Sequence, residues 1–260
     1  MADEHVYVHD DGTRYTTGCL PRKHPRETFR TYADAGMPTY TEGEIVAKIR
    51  AGEGSLQQWV FAILNQTSYP WCWSFSAAQT LMVALNQLGY GSVLLDPAIG
   101  PKVTGVYGGN SIDACLKEVQ VPFGAPDCTI SGNDPIGGDV DPRRIPSDWQ
   151  TNAALRNIPG SEVVDLNDRL TAASALIDGH PCVWGLSWQG GGHALSLLEV
   201  GFDEQRGEFL WAGPNSWGVG FASGWGSYPG RPGWYRLRDS QLTGAFDGFG
   251  AYALCGASAT

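Results

Sequence analysis

The hydrophobic pattern of the chain changes near Pro181, and this change limits the folds that the chain can adopt. Before that point, apolar residues recur at three- and four-residue steps, most clearly from Cys72 to Leu88, and Gly89 closes the pattern. After it, short apolar or alternating runs are separated by glycine-rich turns, which is typical of strands. The sequence therefore predicts an α+β protein whose helical and β parts enclose a ligand cleft.

Local signals predict the other elements. Thr41 with Glu44 three residues later resembles a capping box that opens a short helix ending before Gly52. Apolar spacing predicts two more helices, one from Ser111 and one over residues 167–177, and glycine, aspartate and proline predict a surface loop over 128–150. The predicted strands cover residues 182–188, 194–200, 208–211 and 234–237, and a short one near residues 5–9.

The first 55 residues differ in composition from the rest. They are polar and interrupted by Pro21, Pro25 and Pro38, so residues 1–55 are predicted to form an accessory N-terminal arm. The remaining residues, 56–260, are predicted to be one domain, with a helical lobe over about 65–150 and a β lobe over about 151–260. Such an arm is suited to cover a cleft or to dock the protein to a larger assembly.

Composition excludes several classes of partner. Lys and Arg number 17 against 27 Asp and Glu, so the net charge is −10 and phosphate backbones or anionic membrane surfaces are repelled. No apolar run approaches the roughly 20 residues of a membrane span, and the acidic start lacks a secretion signal. We therefore expect neither nucleic acid nor membrane as a partner, and synthesis as a cytoplasmic protein.

The six cysteines do not indicate a metal or cofactor site. They contain no CxxC pair, and without a secretion signal free thiols are favoured over disulfides. The sequence predicts no metal and no cofactor.

Three short blocks contain residues suited to nucleophilic catalysis. Cys72 lies where the strongest predicted helix begins, and the positive end of a helix dipole stabilises a thiolate. Gln66 lies six residues earlier, His193 opens an apolar run within Gly-His-Ala, and Asn215 begins an Asn-Ser-Trp-Gly sequence after another predicted strand. A thiolate, an imidazole and a carboxamide are the groups that nucleophilic acyl transfer uses.

These blocks, in this order, resemble those of papain-like cysteine peptidases. The resemblance implies a two-lobed fold, with a helical left lobe and an antiparallel, β-barrel-like right lobe on either side of the active-site cleft. It implies that Cys72 is the nucleophile, His193 the acid and base, Asn215 the residue that orients the imidazole, and Gln66 an oxyanion donor. A thiolate beside a protonated imidazole is the expected resting state. The interval from Cys72 to His193 is slightly shorter than the family's usual one.

The same resemblance implies substrate contacts. Gly108 and Gly109 match the double-glycine segment that pairs with an extended peptide, and Trp217 is expected to cover the hydrogen bond between Asn215 and His193. Trp71, which replaces a small residue of the family, is expected to reshape the substrate pocket. The predicted partner is a peptide or protein substrate.

The sequence departs from the family in three places. Tyr69 and Val106 replace two cysteines that form a bridge in most members, residues 189–192 are shorter than the usual connection, and residues 221–232 form an insertion suited to a new cleft wall. Three hypotheses stay open: a cysteine endopeptidase, a Cys-His amidase or peptidoglycan hydrolase, and a papain-fold structural or binding component of a larger assembly.

Overall fold

The computed structural model describes residues 5–8, 12–120, 124–156 and 162–255. The outer limits of the predicted arm and domain, residues 1 and 260, lie outside these ranges. The proposed division at residue 55 stays a prediction.

Nine strands form three antiparallel sheets within the described residues. The arm contributes a hairpin, and the two larger sheets have the orders β3-β9-β4-β5 and β6-β7-β8. These sheets are open, so the expected barrel is not formed. The strands are β1 (His5–Val8), β2 (Arg14–Thr17), β3 (Glu162–Asp165), β4 (Cys182–Trp188), β5 (Gly191–Leu197), β6 (Glu199–Asp203), β7 (Glu208–Pro214), β8 (Trp234–Arg238) and β9 (Ala251–Cys255).

Most of the helices lie between β2 and β4. Helix α4 continues into a π-helical turn, Leu116–Gln120, and single 3₁₀ turns occur at Arg26–Thr28, Gln57–Trp59, Pro142–Arg144 and Asp239–Gln241. The helices are α1 (Glu42–Arg50), α2 (Cys72–Gln87), α3 (Ile99–Thr104), α4 (Ile112–Cys115), α5 (Cys128–Ser131), α6 (Trp149–Ala154) and α7 (Arg169–Ile177).

The predicted cap of α1 is confirmed. The Thr41 hydroxyl accepts from the Glu44 backbone N–H, and the Glu44 carboxylate accepts from the Thr41 backbone N–H at 2.8 Å. Two otherwise unpaired donors at the helix start are thereby satisfied. The helix predicted over 167–177 is also present as α7, where Asp168 caps the N-terminus.

Helix α2 is more deeply buried than its sequence pattern predicts. The spacing of its apolar residues indicates one buried face, yet every residue from Cys72 to Leu85 is buried. The polar side that should face water instead packs on the β part: the Thr80 hydroxyl donates to Ser196 Oγ at 3.2 Å, and Ser196 Oγ donates to the Ser76 carbonyl at 3.0 Å. Short hydroxyl side chains therefore let α2 serve as the central helix of the fold.

The side chains pack into two apolar clusters. One centres on α2, α3 and α4, and the other on the β sheets with α1, α7 and parts of the arm. All six cysteines are buried and unpaired, and they are divided between these clusters or lie beside them. Among the described residues, none of the helices is both long and apolar enough to cross a bilayer.

The connection between β4 and β5 is as short as the sequence indicates. Gln189 and Gly190 form the turn with φ values of 45° and 95°, a left-handed conformation that suits a two-residue hairpin. The insertion over 221–232 lies behind Trp188, and Trp225 contacts the Trp188 ring edge-on at 4.8 Å.

Two portions of the arm are attached to the rest of the molecule by different contacts. Residues 22–55, here called the anchor, are built into the body: Tyr32 and Ile45 are buried in the β-side cluster. Residues 14–20, here called the plug, run between the helical and β parts. Leu20 N–H donates to the Asn110 carbonyl at 3.0 Å and Cys19 N–H donates to the Gly192 carbonyl at 2.9 Å.

Candidate active site

His193 and Asn215 meet in the β part of the molecule. His193 lies on β5, paired with Leu186 of β4, and Asn215 follows β7 directly. The two side chains form a hydrogen bond of 3.0 Å between Nε2 and Oδ1, and both are fully buried. His193 Nδ1 has no hydrogen-bond partner among the described residues.

Trp217 covers this pair, as the sequence predicts. Its ring stacks on the His193 imidazole with centroids 4.4 Å apart, and Trp188 contacts the same imidazole edge-on at 5.4 Å. Excluding water strengthens the enclosed hydrogen bond. Two tyrosines of the arm also stack on Trp217, Tyr15 at 4.6 Å and Tyr7 at 5.3 Å.

Cys72 is the first residue of α2 and faces β5. The backbone N–H groups of Ala194, the residue after His193, and of Gly18 and Cys19 in the plug lie near its sulfur and lower the pKa of the thiol. Cys72 and His193 therefore come from elements that pack directly on each other, α2 and β5. The thiol itself is fully buried.

The pKa values differ from the expected thiolate and imidazolium. Burial raises the pKa of Cys72 to about 11, although the Ala194 and Gly18 N–H groups favour the thiolate. Burial lowers the pKa of His193 to about 4, and the hydrogen bond to Asn215 opposes this shift only in part. Both groups are neutral at pH 7 in this arrangement, because burial disfavours the thiolate and the imidazolium alike.

Gln66 comes from the loop before α2 and is fully buried. Its Nε2 donates to the Tyr69 carbonyl at 2.6 Å and to the Thr16 carbonyl of the plug at 2.8 Å. The predicted oxyanion donor is thus bonded to a peptide carbonyl of the arm.

The double-glycine segment also contacts the plug. A Cβ on Gly109 would lie 2.7 Å from the Gly18 carbonyl oxygen, and Asn110 N–H donates to that oxygen at 2.9 Å. Gly108 accepts from the Trp73 indole at 3.3 Å. The segment expected to bind an extended peptide therefore already carries one, supplied by the same chain.

Trp71 supports the cleft wall from within. Only 4% of it is exposed; its ring stacks on Tyr69, and its indole N–H donates to the Tyr107 carbonyl at 2.9 Å. This bond joins the two segments that a disulfide joins in most papain-like peptidases. Packing and one hydrogen bond replace the bridge, as the loss of both cysteines predicts.

The sequence analysis did not identify several residues that lie at the site. Gly18 and Cys19 approach the sulfur of Cys72, Gly192 binds the plug through its carbonyl, and Ser216 donates to Gln66. Ser216 had a signal in the Asn-Ser-Trp-Gly block, whereas the plug contacts are mainly between main-chain atoms. Among the described residues no cluster of three His, Cys, Asp or Glu side chains is suited to a metal ion.

No protein-family model matches the sequence, and no curated protein sequence matches it. Solved structures do match. Xylellain, a cysteine protease from Xylella fastidiosa, has a TM-score of 0.64 at 15% identity, over 93% of this chain and 96% of that one. The chain has a papain-like fold.

Two procathepsin structures also match the papain-like fold. Digestive procathepsin L2 from Tenebrio molitor larval midgut gives a TM-score of 0.59 at 15% identity, over 94% of this chain and 78% of that one. Procathepsin B from Trypanosoma congolense gives 0.58 at 14% identity, over 93% and 87%.

Proposed function

We propose that this protein is a cysteine peptidase that hydrolyses peptide bonds of a peptide or protein substrate. In this proposal Cys72 is the nucleophile, His193 the acid and base, and Asn215 the residue that orients the imidazole. The observation that carries it is the buried 3.0 Å hydrogen bond between His193 and Asn215, on a strand whose next residue lies near the Cys72 sulfur. The names of the structural neighbours agree with this activity.

The reaction follows from the chemistry of these groups. His193 takes the thiol proton, and the Cys72 sulfur attacks the carbonyl carbon of the scissile bond. Gln66 Nε2 and the Cys72 backbone N–H stabilise the oxyanion, and the imidazolium then protonates the leaving amine. Water, deprotonated by His193, attacks the thioester and releases the carboxylic acid, which regenerates the thiol.

The plug keeps the proposed enzyme latent. Thr16 offers its carbonyl to Gln66, and Gly18 and Cys19 occupy the space beside the Cys72 sulfur, so that a substrate has to displace residues 14–20. Procathepsins among the neighbours are also precursor forms by name. Activity is therefore expected only after the plug leaves the cleft.

Two matched glycine variants of the full chain test this function. A Cβ on Gly18 would lie 2.2 Å from the Pro70 carbonyl oxygen, whereas a Cβ on Gly43, in the anchor, meets nothing within 4 Å. Overpacking of this kind costs about 1–3 kcal/mol, so Gly18→Ala should raise the rate at which a peptidyl electrophile labels Cys72 by about tenfold to hundredfold. Gly43→Ala should leave that rate unchanged.

Hydrolysis is measured in parallel on unfolded protein and peptide substrates. The Gly18→Ala chain should cleave them, and Cys72→Ala in the same background should abolish cleavage while the thermal transition is kept. Cleavage that survives Cys72→Ala would contradict the proposal. Cleavage of cell-wall peptides without cleavage of proteins would instead identify the amidase or peptidoglycan hydrolase.

A second candidate function is a papain-fold binding component without turnover. The fully buried Cys72 thiol, with its pKa of about 11, favours it, because such a thiol is a poor nucleophile. This candidate expects Cys72 of the Gly18→Ala chain to stay unlabelled from pH 5 to pH 9.

A further inference from the structure

Two of the six cysteines come together where the plug crosses the start of α2. Cys19 of the plug is 3% exposed, Cys72 is fully buried, and both are free thiols. The backbone N–H of Cys19 lies near the Cys72 sulfur. The two thiols are therefore carried by segments that touch, although they are far apart in the sequence.

The pairing of β4 with β5 relates the positions of the two sulfurs. Gly185 and Ala194 are direct partners in this pair, so their Cβ positions lie on one face of the sheet, about 4.5–5.5 Å apart. The Cys19 sulfur lies over Gly185, where an added Cβ would come within 2.9 Å of it. The Cys72 sulfur lies near the Ala194 N–H. The two sulfurs thus occupy neighbouring places on this face, and a disulfide spans Cβ atoms about 3.5–4.5 Å apart.

Oxidation of this pair has to begin with the plug open. Burial raises the pKa of both thiols, that of Cys72 to about 11, and the thiolate is the form that a peroxide oxidises. When water reaches Cys72, its thiolate attacks hydrogen peroxide. The O–O bond breaks, an S–O bond forms, and hydroxide leaves, which converts Cys72 to the sulfenic acid.

We propose that Cys19 is a resolving cysteine for Cys72: when the plug returns, the Cys19 thiol attacks the Cys72 sulfenic acid and closes a disulfide that fastens the plug in the cleft. The S–S bond forms, the S–O bond breaks, and the thiol proton leaves with the hydroxyl group as water. Over both steps the two thiols lose two electrons and two protons, and one hydrogen peroxide becomes two waters. An external thiol reverses the bridge by exchange.

The bridge protects Cys72 from irreversible oxidation. A sulfenic acid that meets no thiol goes on to the sulfinic and sulfonic acids, which external thiols do not reduce. With Cys19 in place, the oxidised protein is instead a covalently closed form that is restored by reduction. Formation of the bridge does not depend on the proposed function, whereas the reductive activation of a peptidase does.

Cys115 provides a matched control. It is fully buried beside α2 and lies near the Ser74 side chain. Ser74 follows Cys72 by two positions, about 200° around the helix, so Cys115 and Cys72 lie on different sides of α2. Cys115 is therefore a buried neighbour of the helix that is not placed to resolve Cys72.

The first experiment does not require activity. The reduced full chain is treated with hydrogen peroxide, alkylated in denaturant and digested with trypsin, which leaves Cys19 in peptide 15–22 and Cys72 in peptide 51–102. Mass spectrometry should find these two peptides linked, and dithiothreitol should separate them. In Cys19→Ser the link should be absent, and the sulfinic and sulfonic fraction of Cys72 should rise at least about fivefold.

The other variants exclude simpler causes. Cys115→Ser should keep the linked peptides, and Cys19→Ala should behave like Cys19→Ser, so that the missing thiol and not the new side chain accounts for the effect. Equal overoxidation of Cys72 with and without Cys19 would overturn the proposal. A Cys72 that peroxide leaves reduced in both chains would overturn it too, because the plug then never opens to admit the oxidant.

The second experiment measures what the bridge does to the plug. Hydrogen exchange at the Leu20 amide should become at least about tenfold slower in the oxidised full chain, return on reduction, and stay unchanged by peroxide in Cys19→Ser. A bridge that leaves this exchange unchanged would contradict the fastening of the plug.

The outcomes for the bridge and for the proposed function are distinguishable. A chain that forms the bridge, together with a Gly18→Ala chain that hydrolyses nothing, supports the resolving role of Cys19 and rejects the peptidase. An active Gly18→Ala chain, together with a full chain that never links Cys19 to Cys72, rejects the bridge alone.

Discussion

The plug and the anchor belong to one arm, yet they are attached to the body by different kinds of contact. The plug is held by hydrogen bonds of its main chain, to the main chains of Gly192 and Asn110 and to the Gln66 side chain, and by the Tyr15 ring on Trp217. The anchor is held by buried side chains: Arg22 forms a two-pronged ion pair with Asp165 at 3.0 and 3.1 Å, and Tyr32 and Tyr40 both donate to Asp178. Main-chain hydrogen bonds of the first kind can be exchanged for bonds to another backbone, whereas buried ion pairs of the second kind are part of the fold.

The largest effect that tests this contrast is expected at Arg22. Its side chain and that of Asp165 are 8% and 1% exposed, so Arg22→Ala leaves a buried carboxylate without its partner. Breaking a buried pair in this way lowers the free energy of unfolding by about 3–5 kcal/mol, measured by chemical denaturation.

Arg30→Ala is the control, because Arg30 pairs with Glu162 on the same strand β3 while both side chains are exposed. Its loss should cost less than about 1 kcal/mol. Equal losses in the two variants would contradict the view that the anchor depends on buried contacts.

A pH dependence confined to the plug is the next largest effect. The pKa of His193 is about 4 in the closed structure, and plug departure that admits water to the ring raises it toward its ordinary value near 6.5. Because this pKa is lowered in the covered state, the stabilisation is complete above pH 6.5 and is lost as the pH falls toward 4. The loss of stabilisation reaches about 3 kcal/mol. Within this range, the equilibrium constant for plug opening rises roughly tenfold for each pH unit that the pH falls.

Hydrogen exchange measures this prediction once the intrinsic pH effect is removed. Protection of the Cys19 and Leu20 amides should fall between pH 6.5 and pH 4.5, while the amides of α1 in the anchor keep theirs. His193→Gln should abolish the difference. A plug whose protection is the same at both pH values would show that His193 stays enclosed when residues 14–20 move.

The smallest effect sharpens the comparison within the anchor. Tyr32 is fully buried and its hydroxyl donates to Asp178 at 2.8 Å. Tyr32→Phe should therefore lower the free energy of unfolding, measured by chemical denaturation, by about 1 kcal/mol. The labelling rate of Cys72 should not change, because the plug makes no contact with this hydroxyl bond. A labelling rate that rises with Tyr32→Phe would mean that anchor and plug open together.

Elements with a local signal were predictable from the sequence. Thr41 and Glu44 identify the start of α1, and the apolar run from Cys72 marks α2. Strand β4 was predicted with its observed bounds, Cys182–Trp188. By contrast, β3 and β9 were missed because they pair with each other across distant parts of the chain and show little alternation of their own.

The candidate site is predicted from the blocks around Cys72, His193 and Asn215, and its catalytic assignment stays a prediction. The structure brings His193 to Asn215. The course of the plug was not predictable, since main-chain hydrogen bonds between distant segments leave no side-chain pattern. Burial by the plug is also why the pKa of Cys72 is raised although its helix position favours a thiolate.

The loop over residues 221–232 acts on the imidazole from the side away from the cleft. Gly226 lies so close to Trp188 that an added Cβ would come within 2.8 Å of its ring, and Trp188 in turn contacts the edge of His193. A side chain added at Gly226 would therefore press on Trp188 and, through it, on the edge of the His193 ring, although Gly226 itself lies 33 positions further along the chain.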